Sequence, residues 1–196
     1  MKSNEPIKLS RDAEAIEIPG GARQMLRAGN AVRIMQSLGS SFTVTTDRGA
    51  MYRIDAKDAE ALGLDPPNKE QTPSKPQGPL TEKMVTDELK TVFDPEIPVN
   101  IVDLGLIYSC VILPFDEHSH KVAIKMSMTA PGCGMADVLK ADVQNKIARL
   151  PNVKEVYVEV VADPPWNPGR MSEAAKLQLG FDADYGTDQS DFPIVR

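Results

Sequence analysis

One cysteine stands where a thiol could do chemistry. Cys133 lies in Thr129-Ala-Pro-Gly-Cys-Gly134, behind a run in which Val122, Ile124, Met126 and Met128 alternate with other residues, the period of a strand. After it, Met135, Val138, Leu139, Val143, Ile147 and Leu150 recur at helical spacing. A thiol at a strand-to-helix turn is placed to act as a thiolate, either as nucleophile or as metal ligand. The unpaired N–H groups and positive dipole end of a helix start stabilise an anion there and are expected to lower the thiol pKa. Gly132 and Gly134 remove steric cover, and Thr129 can add a hydroxyl donor. The bland alternative, a small buried hydrophobe, fits Cys110 better, because that cysteine sits in the middle of an apolar strand.

Three carboxylates form a second constellation in Asp94-Pro-Glu-Ile-Pro-Val-Asn-Ile-Val-Asp-Leu-Gly-Leu-Ile107. Asp94 and Glu96 read as ordinary solvated turn residues. Asp103 lies between apolar residues, where an unpaired charge is costly to bury, so it either caps a helix or points at a site. The first strand entered from this turn is a hairpin neighbour of the strand leading to Cys133. Asp103 and the Asp-Pro-Glu turn are therefore expected at the same end of the domain as the thiol, where carboxylates could hold a metal or set its protonation. His118 and His120 fall in the connection at the opposite end of that hairpin and read as a solvated tip. A Cys-His hydrolase pair thus lacks its base. Trp166, in Asp-Pro-Pro-Trp, reads as a packing residue that could also cover a pocket.

The elements that must position these residues fall into two groups. Asp65–Leu80 holds five prolines among polar residues and reads as a linker covering 65–80. Before it, short alternating runs at 30–38, 40–47 and 50–56, with a tight turn at Asp47-Arg48-Gly49 and a short helix capped by Asp55 and ended by Gly63, predict a small β-roll or barrel domain over residues 1–64. After the linker, Thr81 caps a helix with Val85, Leu89 and Val92 on one face, stopped at Pro95. The strand around 104–115, the strand before Cys133, its following helix and a β-branched run at 153–161 complete a helix-strand-strand-helix-strand order. This predicts an α+β two-layer sandwich over residues 81–168, with helices on one side of the sheet. A C-terminal extension, 169–196, carries a helix capped by Ser172 and stopped by Gly180, and beyond Asp182 is expected to be loosely held.

The totals exclude several classes. The chain has 196 residues, 41% hydrophobic, with a net charge of −6, so it can build a core but offers no basic surface for nucleic acid. No run approaches the roughly 20 apolar residues of a membrane helix, and no signal-peptide core opens the sequence, which predicts a cytoplasmic protein without membrane contact. No Cys-x-x-Cys occurs, so thioredoxin-like chemistry and a single-chain zinc knuckle lose their usual signature.

Taken together, Asp94–Ile107, Met128–Leu139 and Val158–Pro168 resemble the metal–sulfur cluster biosynthetic family, which includes the SufT-type proteins and the small domain of the cytosolic iron–sulfur targeting complex. The resemblance covers Thr81 to about Pro168, and the segment from Gly29 to Gly63 is similar to the leader domain of long SufT-type members. It implies an accessory, non-enzymatic role in iron–sulfur protein maturation, with Cys133 as the reactive cysteine and metal ligand and Glu96, Asp103 and Thr129 lining the same pocket. Gly134 departs from the proline that many relatives carry at that position. An iron–sulfur cluster usually wants four thiolates, and one chain offers a single candidate. A transient cluster or iron would then need a homodimer, an external thiol, or carboxylate and backbone ligands. The expected partners are the assembly machinery and client apo-proteins. The alternatives are a thiol-dependent transferase with Cys133 as nucleophile, and a client-binding adaptor that holds no metal.

Overall fold

The computed structural model describes residues 5–65, 78–130, 132–181 and 194–195. Most of the expected linker, residues 66–77, and most of the segment beyond Asp182 lie outside this set. Two compact units divide the chain, the first comprising the N-terminal strands with Pro95–Pro98 and the second comprising the remainder from residue 75 on.

In the first unit six strands, β1 (Ile7–Lys8), β2 (Ala13–Ile18), β3 (Arg23–Leu26), β4 (Ala31–Leu38), β5 (Ser41–Thr46) and β6 (Met51–Asp55), form one sheet in the order β1-β4-β5-β6-β2-β3. Alternation makes them strands: Ala13, Ala15, Val32, Tyr52 and Ile54 are all buried, while the residues between them are more exposed. The β5–β6 turn carries Gly49 at φ +78°, a conformation that favours glycine. A short 3-10 helix, Ala56–Leu62, follows: the Asp55 side chain accepts from the Lys57 N–H at its start, and Gly63 at φ +69° ends it. β2 and β3 escaped the sequence reading because Ala-Glu-Ala-Ile-Glu-Ile and Arg-Gln-Met-Leu alternate too weakly in hydrophobicity. Pro95–Pro98 belongs with this unit, where buried Thr43 donates its hydroxyl to the Pro95 carbonyl at 3.1 Å.

The second unit has the expected order. α1 (Glu82–Leu89) begins where the Thr81 hydroxyl accepts from the Met84 N–H, and the antiparallel pair β7 (Ile107–Pro114) and β8 (His120–Met126) follows. α2 (Ala136–Ile147) then crosses to β9 (Val153–Val160), which pairs parallel to β8. Burial is one-sided. Cys110, Val122, Ile124, Met126 and Val158 are fully buried on the sheet face that packs under Val85 and Leu89 of α1 and Leu139, Val143 and Ile147 of α2. Each such aliphatic side chain contributes roughly 1.5–3 kcal/mol of transfer free energy. α3 (Glu173–Leu179) is capped by the Ser172 hydroxyl and ended by Gly180 at φ +77°. One element was not anticipated: β10 (Ile194–Val195) adds to the sheet edge parallel to β7, giving the order β10-β7-β8-β9. Two residues are too few for a periodicity to show. Among the described residues no helix is long and apolar enough to cross a membrane.

Burial pushes the Cys110 thiol up to about 12, with the Glu82 carboxylate adding to the effect. An unfolded thiol ionises near about 8.5, so between that pH and 12 the unfolded chain releases a proton that the folded one keeps. Stability contributed by Cys110 is flat below about pH 8.5 and is lost as pH rises toward 12. Urea unfolding at pH 7, 9 and 10.5 should therefore show a steeper alkaline loss for the wild type than for Cys110→Val; parallel losses would contradict the burial of this thiol.

Candidate functional site

β8 and β9 run parallel, so their C-terminal ends lie side by side. The chain leaving β8 carries Ser127–Ala130, Gly132 and Cys133, the chain leaving β9 carries Val161–Trp166, and between them is a cavity of about 240 Å³. Ser127, Thr129, Gly132 and Cys133 line one side, Val160–Ala162, Pro165 and Trp166 the other, and Ala136 closes it from the start of α2. Cys133 is half-buried, flanked by exposed Gly132 and Gly134. Gly132 adopts φ +70°, the Cys133 N–H donates back to the Ala130 carbonyl at 3.4 Å, and the Cys133 carbonyl accepts from Ala136 N–H at 3.1 Å. The turn thus winds directly into α2. The helix cap, Met135, has a side chain that makes no capping bond. The positive end of α2 abuts the cavity there and favours negative charge in it.

The opposite wall is held by the turn before β7. Asn100 Oδ1 accepts from the Val102 and Asp103 N–H groups at 3.1 and 2.9 Å, and Asn100 Nδ2 donates to Asp103 Oδ2 at 2.6 Å. Three successive carbonyls of this turn then accept from the segment after β9. The Asp103 carbonyl takes the Ser172 N–H at 2.8 Å, that of Leu104 takes Trp166 Nε1–H at 2.7 Å, and that of Gly105 takes Arg170 Nε–H at 3.3 Å. The Arg170 guanidinium also stacks over the Tyr108 ring at 4.0 Å. Leu106 closes the frame by accepting the Ser127 N–H at 2.8 Å.

The structure therefore brings Thr129 and Cys133 together on one cavity. Asp103 stands at the same end of the sheet, but its side chain is taken up by Asn100 and it is not among the described lining residues. Glu96 is exposed and belongs to the first unit, whereas Cys133 belongs to the second. Among the described residues no group of three or more His, Cys, Asp and Glu side chains could hold a metal ion. Trp166 both packs and lines the cavity. Ser127, Val160, Val161 and Ala162 were not singled out from the sequence, because nothing local marks a strand end as a cavity wall. At the other end of the hairpin His120 is part of β8 and not of the connection, and its Nδ1 is buried without a hydrogen-bond partner.

The half-buried Cys133 thiol thus stands at the mouth of a small cavity on a helix-strand-strand-helix-strand sandwich. Residues 82–160 match the family described as iron-sulfur cluster assembly protein. The chain is 45% identical over 101 residues to the Fe-S protein maturation auxiliary factor of Porphyromonas gingivalis, covering 52% of this chain and 92% of that protein. It is 41% identical over 93 residues to the Fe-S protein maturation auxiliary factor YitW of Bacillus subtilis, covering 47% of this chain and 87% of that one. To the Fe-S protein maturation auxiliary factor SufT of Staphylococcus aureus it is 33% identical over 89 residues, covering 45% of this chain and 97% of that one. The chain belongs to this family as a SufT-type member.

Gly105 is required by the frame. It adopts φ +69°, and a Cβ there would fall 2.2 Å from the Arg170 carbonyl oxygen. Gly132 has a similar φ of +70° but no atom within 4 Å of a built Cβ. Gly105→Ala should therefore cost about 2–4 kcal/mol in urea unfolding and Gly132→Ala only about 1 kcal/mol. The reverse order would contradict the packing of the turn against Arg170.

Proposed function

We propose that this protein is a non-enzymatic accessory factor in iron–sulfur protein maturation that takes up and passes on iron or a transient cluster through the Cys133 thiol. The observation that carries the reading is the position of Cys133: half-buried, on a cavity, between two exposed glycines and immediately before α2. A thiolate is the ligand that iron and its sulfide clusters favour, and a partly open position lets an incoming thiol exchange with it.

The relatives support the pathway, being named as Fe-S protein maturation auxiliary factors, and a more distant relative from Synechocystis is named as an iron-sulfur cluster carrier protein. The lining supports a carrier over a transferase. None of the described residues around the cavity is a His, Lys, Asp or Glu that could act as general base to Cys133. The ligand count then sets the partners. One thiolate cannot hold a cluster that usually takes four, so the remaining ligands come from a second copy of the chain, from a client apo-protein or from the assembly machinery. The cluster is cargo, and the protein works in the cytoplasm, where its two cysteines stay reduced.

Anaerobic reconstitution with iron and sulfide tests this, followed by visible absorption, iron content and subunit mass. The wild type should give a chromophore that Cys133→Ala loses while its far-UV spectrum and unfolding midpoint stay unchanged, and the same variant should fail in a cluster-maturation assay. Full maturation activity of folded Cys133→Ala would overturn the assignment.

A further inference from the structure

α1 and α2 pack on one face of the second unit's sheet. On the other face, register places Lys121 beside Glu155, Ala123 beside Tyr157 and Lys125 beside Glu159, along the parallel strands β8 and β9. The two charged rows are ion-paired within the chain, at 2.9 Å for Lys121–Glu155 and 3.7 Å for Lys125–Glu159. Between them Tyr157 stands 55% exposed, and Leu113 of β7, in register with Lys121, is 41% exposed. Exposed pairs of this kind contribute little to the fold, so both charged rows and the Tyr157 ring between them are available to a partner.

From this pattern we infer that the β8–β9 face docks against the same face of a second copy, about a two-fold axis that runs parallel to the strands between β8 and β9. Rotation about that axis lays β8 over the partner's β9. Lys121 then stands opposite the partner's Glu155 and Lys125 opposite the partner's Glu159, with each of the reciprocal contacts made as well. Tyr157 projects onto the partner's Ala123, so a large side chain meets a small one twice. The match is self-complementary, as a two-fold interface must be, and corresponds to the aligned class of sheet-on-sheet packing. The charges also choose the axis. A two-fold running across the strands would set Lys121 against the partner's Lys125 and Glu155 against the partner's Glu159, which like-charge repulsion forbids.

The orientation has a consequence for the cavity. Because the axis runs along the strands, both copies point the C-terminal ends of β8 and β9 the same way, and the two Cys133 cavities open at the same end of the pair. That consequence rests on the proposed role of Cys133; the interface itself does not.

The test is sedimentation equilibrium of the metal-free full chain. The wild type should associate to a dimer. Lys121→Glu/Lys125→Glu, which makes the four charges all negative, and Glu155→Lys/Glu159→Lys, which makes them all positive, should each weaken self-association by about tenfold or more, with unchanged far-UV spectra. Mixed one to one, the two variants should form a dimer again. A wild type that stays monomeric to its solubility limit, variants that dimerise as well as the wild type, or a mixture that fails to associate would each overturn the proposal. A chain that is monomeric without metal but pairs on cluster loading would refute this face and leave the Cys133 carrier intact. A dimer through this face in a chain whose Cys133→Ala variant matures clients normally would do the opposite.

Discussion

Three consecutive backbone carbonyls, those of Asp103, Leu104 and Gly105, accept hydrogen bonds from Ser172, Trp166 and Arg170, and the candidate site depends on that clamp. It ties the turn entering β7 to the segment leaving β9, two stretches about 60 residues apart in the chain. Each neutral bond contributes only about 1 kcal/mol net, but leaving a buried carbonyl unpaired would cost more. The geometry also demands a residue without Cβ at Gly105, since the Arg170 carbonyl oxygen occupies the space a side chain would need. The Asp-Leu-Gly-Leu-Ile run is thus a backbone platform.

On that platform the cavity acquires its walls. Trp166 is held by its indole N–H and contributes its ring, and the Leu106–Ser127 bond fixes where β8 ends and the cysteine turn begins. Cys133 and Cys110 show how position decides the chemistry of one residue type. Cys110 is fully buried, its thiol pushed up to about 12, and behaves as a core methyl-sized group. Cys133 lies on a turn with glycine on both sides, half open to an incoming ligand. The β8–β9 face adds a separate property, because its ion-paired Lys and Glu rows with Tyr157 between them are self-complementary about a two-fold axis.

Much of the second unit was legible in advance. The helix caps at Thr81 and Ser172, the glycine stop at Gly180, the strand-to-helix turn at Cys133 and the order of elements all follow from short-range spacing. Asp103 shows where such reading stops. From its apolar neighbours it is either a cap or a site residue, and its side chain is engaged by Asn100, three residues earlier in the same turn. Glu96 is expected beside the thiol from the motif it shares with Asp103, and Pro95–Pro98 groups with the first unit. A proline-punctuated loop carries no local signal of which core it will join.

The sequence by itself determined most local elements of the second unit, the family and the strand-to-helix turn that carries Cys133, because periodicity, capping and glycine placement act over a few residues. Only the tertiary structure decided what surrounds that thiol. The walls of its cavity come from Ser127, Val160–Ala162 and Trp166, and they meet because β8 and β9 are parallel neighbours and because the Leu104 carbonyl lies within 2.7 Å of Trp166 Nε1. Long-range hydrogen bonds and strand register are set by the whole chain at once, and no window of neighbouring residues contains them.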